Sequence, residues 1–274
     1  MVPFDNRQYW ETRLRQHYSL AGVGYVRLGR RYNEWMYRIR GEVFDRVVAK
    51  LRDRLPVTSD RALTVLDVGS GTGFYVERWL RLGARVTGLD LTEVAVASLT
   101  RRFPAAQFVR ADIGGAFEEL ALAAGSFDAV SAFDVLFHLV DDAQYARAFQ
   151  NIAALLCPGG WFLWSDNFLH YGTQRVRHQA SRPLAESVRL LQAAGLEVTE
   201  RVPMFVLMNY PADSRSRLAR WAWTAMAAPV MLGEPLGWIL GAALYPLERA
   251  LVRTLRESPS TELMLCRKPA AGMV

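Results

Sequence analysis

Three carboxylates and three glycines set the chemistry open to this chain. Asp67 stands two residues before Gly69, and Gly71 and Gly73 follow at alternate positions in VLDVGSGTGFY, residues 65–75. The apolar run, the glycines and the residues after them predict a strand, a tight turn and a helix start, an arrangement that builds cofactor sites. Asp90 ends the next apolar run, and Asp112 ends a third. The nicotinamide fingerprint Gly-x-Gly-x-x-Gly fails in both registers, because positions 74 and 76 are Phe and Val. The phosphate-cradling loop ends in Gly-Lys-Ser/Thr, and no lysine is present here. A carboxylate beside the turn repels a diphosphate but attracts an ammonium or sulfonium group. The pattern predicts a nucleoside ligand with a positively charged amino-acid tail.

Asp67-Val68-Gly69-Ser70-Gly71-Thr72-Gly73 resembles the signature of the class I S-adenosylmethionine (SAM) methyltransferases. Further landmarks follow in that family's order: LDLTEV from Leu89, FVRADI from Phe108, FDAVSAFDVLFHL from Phe127, LCPGGWFLWSDNF from Leu156 and STELMLCRKP at 260–269. The resemblance implies SAM as cofactor. It implies that Asp90 holds both ribose hydroxyls and that Asp112 meets the adenine amino group. Asp67, Gly69, Ser70, Gly71, Gly73, Leu91, Ile113 and Phe133 complete the implied cofactor set. The implied fold is α/β, a three-layer α/β/α Rossmann-like sheet of seven strands in the order 3-2-1-4-5-7-6, with strand seven antiparallel.

Methyl transfer from a sulfonium needs little covalent help, so the protein must chiefly align an acceptor and exclude water. A hydroxyl acceptor also gains from a nearby base. Candidates belong at the carboxyl ends of strands four and five, where such sheets place their ligands. His138, Asp166 and His170 are the catalytic candidates. His138 matches a histidine that many family members carry after strand four, and it serves either as a base or as a packed loop anchor. Asp166-Asn167 can equally cap the following helix. SDNFLHYG also resembles the Asp-Asn of catechol-type, metal-dependent O-methyltransferases, whose oxygen ligands suit magnesium. Phe133 occupies the position of their first aspartate and Asp134 comes one residue late, so no metal site is assigned. His178 is a lone loop histidine. Phe133-Asp134-Val135-Leu136 stands where nucleobase N-methylating enzymes carry Asp/Asn-Pro-Pro-aromatic. With no RNA-binding module in view either, no nucleic-acid partner is expected.

These residues need a scaffold. Strands are predicted near 63–68, 85–90, 107–111, 127–132 and 160–166, with a sixth at LEVTERV after the helix PLAESVRLLQAAG. Residues 1–60 predict a helical cap, in which Trp35, Ile39, Val43 and Val47 recur at helical spacing. Its aromatic set, Tyr9, Trp10, Tyr18, Tyr25, Tyr32, Trp35 and Tyr37, divides between core packing and pocket lining. The SAM-binding core is expected over 61–212, an apolar insertion over 213–258, and the last strand and tail over 259–274. Within the insertion, Trp221 to Leu247 carries one charge, Glu234. Its length suits a membrane span of ~20 residues. However, Pro229, Pro235 and Pro246 break it into short pieces, and Glu234 sits at its middle. A hairpin of short helices is predicted instead, serving as extra core, as an apolar lid, or as an element resting on lipid headgroups.

Bulk properties fit one domain with additions. The 274 residues can bury a core without staples. Cys157 and Cys266 have no metal-ligand spacing, which fits a reducing compartment, and no basic-then-apolar leader opens the chain. A cytoplasmic, Arg- and Ala-rich bacterial protein, peripheral at the membrane, is expected. The net charge of +6 is uneven: residues 1–60 hold 12 basic and 7 acidic side chains, whereas 61–170 hold 8 and 12. The basic flanks are either solvated surface or a rim facing anions. The sequence favours SAM-dependent methylation of a small molecule, at a hydroxyl of an apolar, lipid-linked or natural-product acceptor. Methylation of protein or RNA, and a non-methylating SAM binder such as a cyclase or regulatory subunit, are the alternatives.

Overall fold

Strand parity and helical crossovers dictate how these apolar runs assemble. The chain is seen in a computed structural model that describes residues 4–51, 54 and 61–270. Parts of the expected cap (1–3, 52, 53 and 55–60) and of the tail (271–274) lie outside the described residues. Strands β1 (Thr64–Val68), β2 (Arg85–Asp90), β3 (Gln107–Arg110), β4 (Phe127–Phe133) and β5 (Leu156–Asp166) run parallel. Helices α4 (Phe74–Arg81), α5 (Glu93–Arg102) and α6 (Asp142–Leu155) lie on their connections, as parallel pairing requires. After α7 (Leu184–Ala193), strand β8 (Glu197–Pro203) forms one edge. Strand β9 (Glu262–Arg267) enters antiparallel between β5 and β8.

The sheet order is β3-β2-β1-β4-β5-β9-β8. It is the expected 3-2-1-4-5-7-6 topology, renumbered because a small hairpin, β6 (Gln174–Val176) with β7 (Gln179–Ser181), precedes α7. Three-residue strands with an exposed polar first member carry no periodicity to read, so that hairpin has no sequence signal.

Alternate residues of each strand feed opposite cores. Val65, Ala129, Leu163 and Leu265 pack on one face, beneath α4 and the long helix α3 (Gly29–Leu51). Leu66, Val130, Phe162 and Met264 pack on the other, beneath α6 and α7. Burial on both faces explains why all seven residues of β4 are buried. Ile39, Val43 and Val47 are buried as their spacing implies, so α3 is a layer of the fold. The lid proper is α1 (Asn6–Gln16) and α2 (Leu20–Val23).

The insertion departs from the expected hairpin of short helices. It comprises α8 (Arg217–Ala227), a 3-10 turn (Ala228–Leu232) and one long helix, α9 (Glu234–Thr254), which packs along α3. Pro229 and Pro235 occupy first-turn positions, where a missing N–H costs nothing. Pro246 lies inside α9 without ending it. Its exposed position leaves the unpaired backbone carbonyl one turn earlier a route to water. Glu234 is also reassigned: its carboxylate accepts the backbone N–H groups of Arg30 (2.8 Å) and Arg31 (2.7 Å) at the start of α3. Among the described residues, no helix is long and apolar enough to cross a membrane.

Glu248, two residues past Pro246, is fully buried and accepts N–H bonds from Val206 and Leu207, both 2.7 Å. It ties α9 to the turn leaving β8. Glu248→Ala is expected to destabilise the fold by about 3 kcal/mol, because buried N–H groups lose their acceptor. Urea unfolding measures it, and a loss below about 1 kcal/mol would mean that water replaces the carboxylate.

Candidate active site

The glycine turn is built by backbone geometry that side chains resist. Gly69, Gly71 and Gly73 have φ of 68°, 53° and 80°, values at which a Cβ is strained. A Cβ on Gly69 would also fall 2.3 Å from Val135 Cγ2. Asp90 fastens the turn. Its Oδ2 accepts Gly71 N–H at 2.8 Å, while Oδ1 accepts the N–H (2.9 Å) and hydroxyl (2.7 Å) of Thr92. Burial raises the Asp90 pKa above the usual carboxylate value.

A cavity opens above this turn. Gly69, Ser70, Gly71, Asp90, Leu91, Asp112, Ile113 and Phe133 all line it, which brings together most of the expected cofactor set. Gly73 lies behind the turn, where a Cβ would meet the Phe103 ring at 2.5 Å. Asp67 is not on the wall either. It is 2% exposed and accepts the Ser131 hydroxyl at 2.7 Å. Burial without a cationic partner pushes its pKa up to about 7. The outer wall is the lid: Asn6, Trp10, Leu14 and Val23, with Tyr37 of α3. Tyr18 donates its hydroxyl to Gly71 O at 3.1 Å, and Glu11 accepts Glu93 N–H at 2.8 Å, so the lid is closed.

A second cavity adjoins the first, and Trp10, Val23, Asp134 and His138 belong to both walls. His138 is therefore at the junction. Its Nδ1 lies 2.9 Å from the His178 carbonyl, an acceptor, so Nδ1 carries the proton and Nε2 presents a lone pair. Burial lowers its pKa to about 3. Trp10 meets the ring edge-on at 4.7 Å, and His178 stacks on Tyr9 at 5.0 Å. Asp134 is held by Arg40, whose Nε reaches Asp134 Oδ2 at 2.9 Å, and by the Ser165 hydroxyl on Oδ1 at 2.9 Å. Arg40 was not singled out by any motif; only its place among helix-forming residues was legible.

The other catalytic candidates lie elsewhere. Asp166 is buried off both cavity walls, and burial pushes its pKa up to about 7. Only its neighbour Asn167 reaches the second cavity. His170 lines neither cavity and pairs through Nδ1 with Asp213 Oδ2 at 2.5 Å. Of the residues that a catechol-type metal site would use, Asp134 is bonded to Arg40 and Ser165, and Asp166 is buried behind the wall. No cluster of three His, Cys, Asp or Glu that could hold a metal occurs among the described residues.

Comparison with known proteins decides the family. A model described as a methyltransferase domain matches residues 65–160. A ubiquinone biosynthesis O-methyltransferase of Thiobacillus denitrificans is 34% identical over 51% of this chain and 67% of its own length. The chain belongs to the class I SAM-dependent methyltransferases. A probable S-adenosylmethionine-dependent methyltransferase of Mycolicibacterium smegmatis is also 34% identical, over 52% of this chain and 54% of that protein. The chain spans about half the length of the curated relatives it matches. The fold is shared with a solved Haemonchus contortus phosphoethanolamine N-methyltransferase 2 in complex with S-adenosyl-L-methionine. That likeness has a TM-score of 0.55 and 17% identity, over 95% of this chain and 60% of that one.

The residues present fit the family's cofactor. Asn6 Oδ1, Thr72 Oγ1 and Tyr75 Oη are buried without a partner among the described residues, and all three residues line the first cavity. Buried polar atoms are ordinarily paired, so this clustering marks a polar ligand's place. A cation entering above Asp67 would draw it into its ionised form. SAM affinity is therefore expected to rise with pH up to about 7, because the free protein must release a proton below that value. Calorimetry across pH 6–8 checks it, and Asp67→Asn should flatten the profile.

Proposed function

We propose that this chain transfers the SAM methyl group to a hydroxyl oxygen of a small-molecule acceptor held in the second cavity. The observation that carries this reading is His138 at the junction of the two cavities, with its Nε2 unpartnered among the described residues. The likeness to the Thiobacillus relative, an O-methyltransferase of ubiquinone biosynthesis, supports it. The second cavity combines Trp10, Met36, Phe137 and Tyr210 with Asn167, Gln179 and Asn209. Such walls suit a bulky, largely apolar acceptor with a few polar substituents, of the lipid-linked or natural-product kind.

When bound, SAM supplies a methyl group on an electron-poor sulfonium. Asp90 keeps lone pairs beyond those used by Gly71 and Thr92, and these accept the ribose hydroxyls. Asp112, fixed by its own bond from Gly114 N–H at 2.9 Å, would accept the adenine amino group, and Leu91 and Ile113 would offer the ring apolar contact. Gly69 and Gly71 let the backbone approach the amino-acid tail. The lid excludes water. His138 accepts the acceptor's O–H and aligns its oxygen. A pKa of about 3 makes imidazole too weak to ionise a free alcohol, but oxygen that has gained a methyl group is a far stronger acid than imidazolium. His138 therefore takes the proton as the new C–O bond forms.

Three outcomes follow. Asp90→Ala should abolish SAM binding in calorimetry, and unchanged affinity would remove the cofactor assignment. His138→Ala should lower kcat by about 10²–10⁴-fold while SAM affinity holds. At saturating ligands, the wild-type rate should stay level between pH 5 and 8, because depression of the His138 pKa keeps the ring neutral there. A rate that climbs through pH 6–7 would exclude His138 as this base.

A further inference from the structure

The insertion has an outward surface that the reaction leaves unused. Leu218, Trp221, Leu232, Trp238, Ile239 and Leu247 are each at least half exposed, and Leu232 reaches 82%. They lie on consecutive elements, α8, the 3-10 turn and α9. Single exposed apolar side chains are ordinary; a run of them marks an interaction surface.

Charge says what covers it. Segment 213–256 contains three acids, and each one serves the fold. Asp213 holds His170, Glu234 caps α3, and Glu248 is buried under the turn after β8. The same segment contains six arginines, Arg215, Arg217, Arg220, Arg249, Arg253 and Arg256, none of them buried. Arg249 and Arg253 share the single carboxylate of Glu42. Arg217 and Arg220 form no ion pair among the described residues. The apolar face therefore has a cationic rim, and its one exposed acid, Glu234, is already engaged by the Arg30 and Arg31 N–H groups. A symmetric second copy would press that rim against itself, which opposes self-association.

We propose that this face docks on an anionic lipid surface. Trp221, Leu232 and Ile239 enter the boundary between headgroups and acyl chains, and the arginines meet the phosphates. Tryptophan suits that depth, having an apolar body and one N–H. The second cavity lies alongside: its Tyr210 packs edge-on against Trp223 of α8 at 5.5 Å. A lipid-borne acceptor could then reach the cavity from the bilayer. That last step alone rests on the proposed methyl transfer; the docking does not.

Flotation of the full chain with phosphatidylglycerol–phosphatidylcholine vesicles, against phosphatidylcholine alone, tests it. The chain should float with the anionic vesicles and lose binding as salt rises. Trp221→Ser/Leu232→Ser/Ile239→Ser and, separately, Arg217→Glu/Arg220→Glu should each reduce the bound fraction by about tenfold or more. SAM affinity and thermal melting should be unchanged. If the triple variant melts early, Leu232→Ser alone gives the reading. Absence of flotation at low salt overturns the proposal, as does flotation that survives both variants. A dimer in sedimentation that the triple variant dissolves, without vesicle binding, assigns the face to a second copy instead.

Discussion

The buried ion pair of Arg40 with Asp134 is the joint on which the rest of the molecule is set. It fastens α3 to the end of β4, and Ser165 extends the link to β5. The Arg40 guanidinium is sandwiched by the Tyr37 ring, at 4.9 Å, and the Phe205 ring, at 4.6 Å. Removing either partner would strand a buried charge, a loss of about 3–5 kcal/mol. Asp134 pays for its place with a φ of 58°, in the region that favours glycine. That backbone twist turns the chain from β4 toward His138. The junction of the two cavities thus depends on one carboxylate held in an unfavourable conformation by a helix distant in sequence.

The ion pair also explains why α3 cannot be a loose cap. Its N-terminus is held by Glu234, its middle by Asp134, and its inner face by Ile39, Val43 and Val47. By contrast, α1 and α2 rest on a small cluster around Leu14, Ala95 and Leu99. Elements with few buried apolar contacts have the lowest local stability, which suits those that admit ligands.

What could be read from the amino-acid sequence follows the range of the forces involved. The glycine turn was legible because left-handed φ values exclude most other residues. The strands were legible because parity forces apolar residues onto both faces of a covered sheet. Pro246 misled, because a proline's cost depends on whether the freed carbonyl meets water, and that is a matter of packing. Glu234 read as an obstacle within an apolar run and proved to be a helix cap for a segment two hundred positions earlier. His170 shares strand-end placement with Asn167, but its pairing with Asp213 turns it from the cavities. Arg40 could not be nominated, because its role arises only when α3 meets the ends of β4 and β5, and Trp10 was legible only as one of seven aromatic residues divided between core and pocket.

Trp10 belongs to the walls of both cavities. The two compartments consequently share one indole as a partition, so a shift of α1 that displaces it reshapes both walls together, and the contents of one compartment are felt in the form of the other.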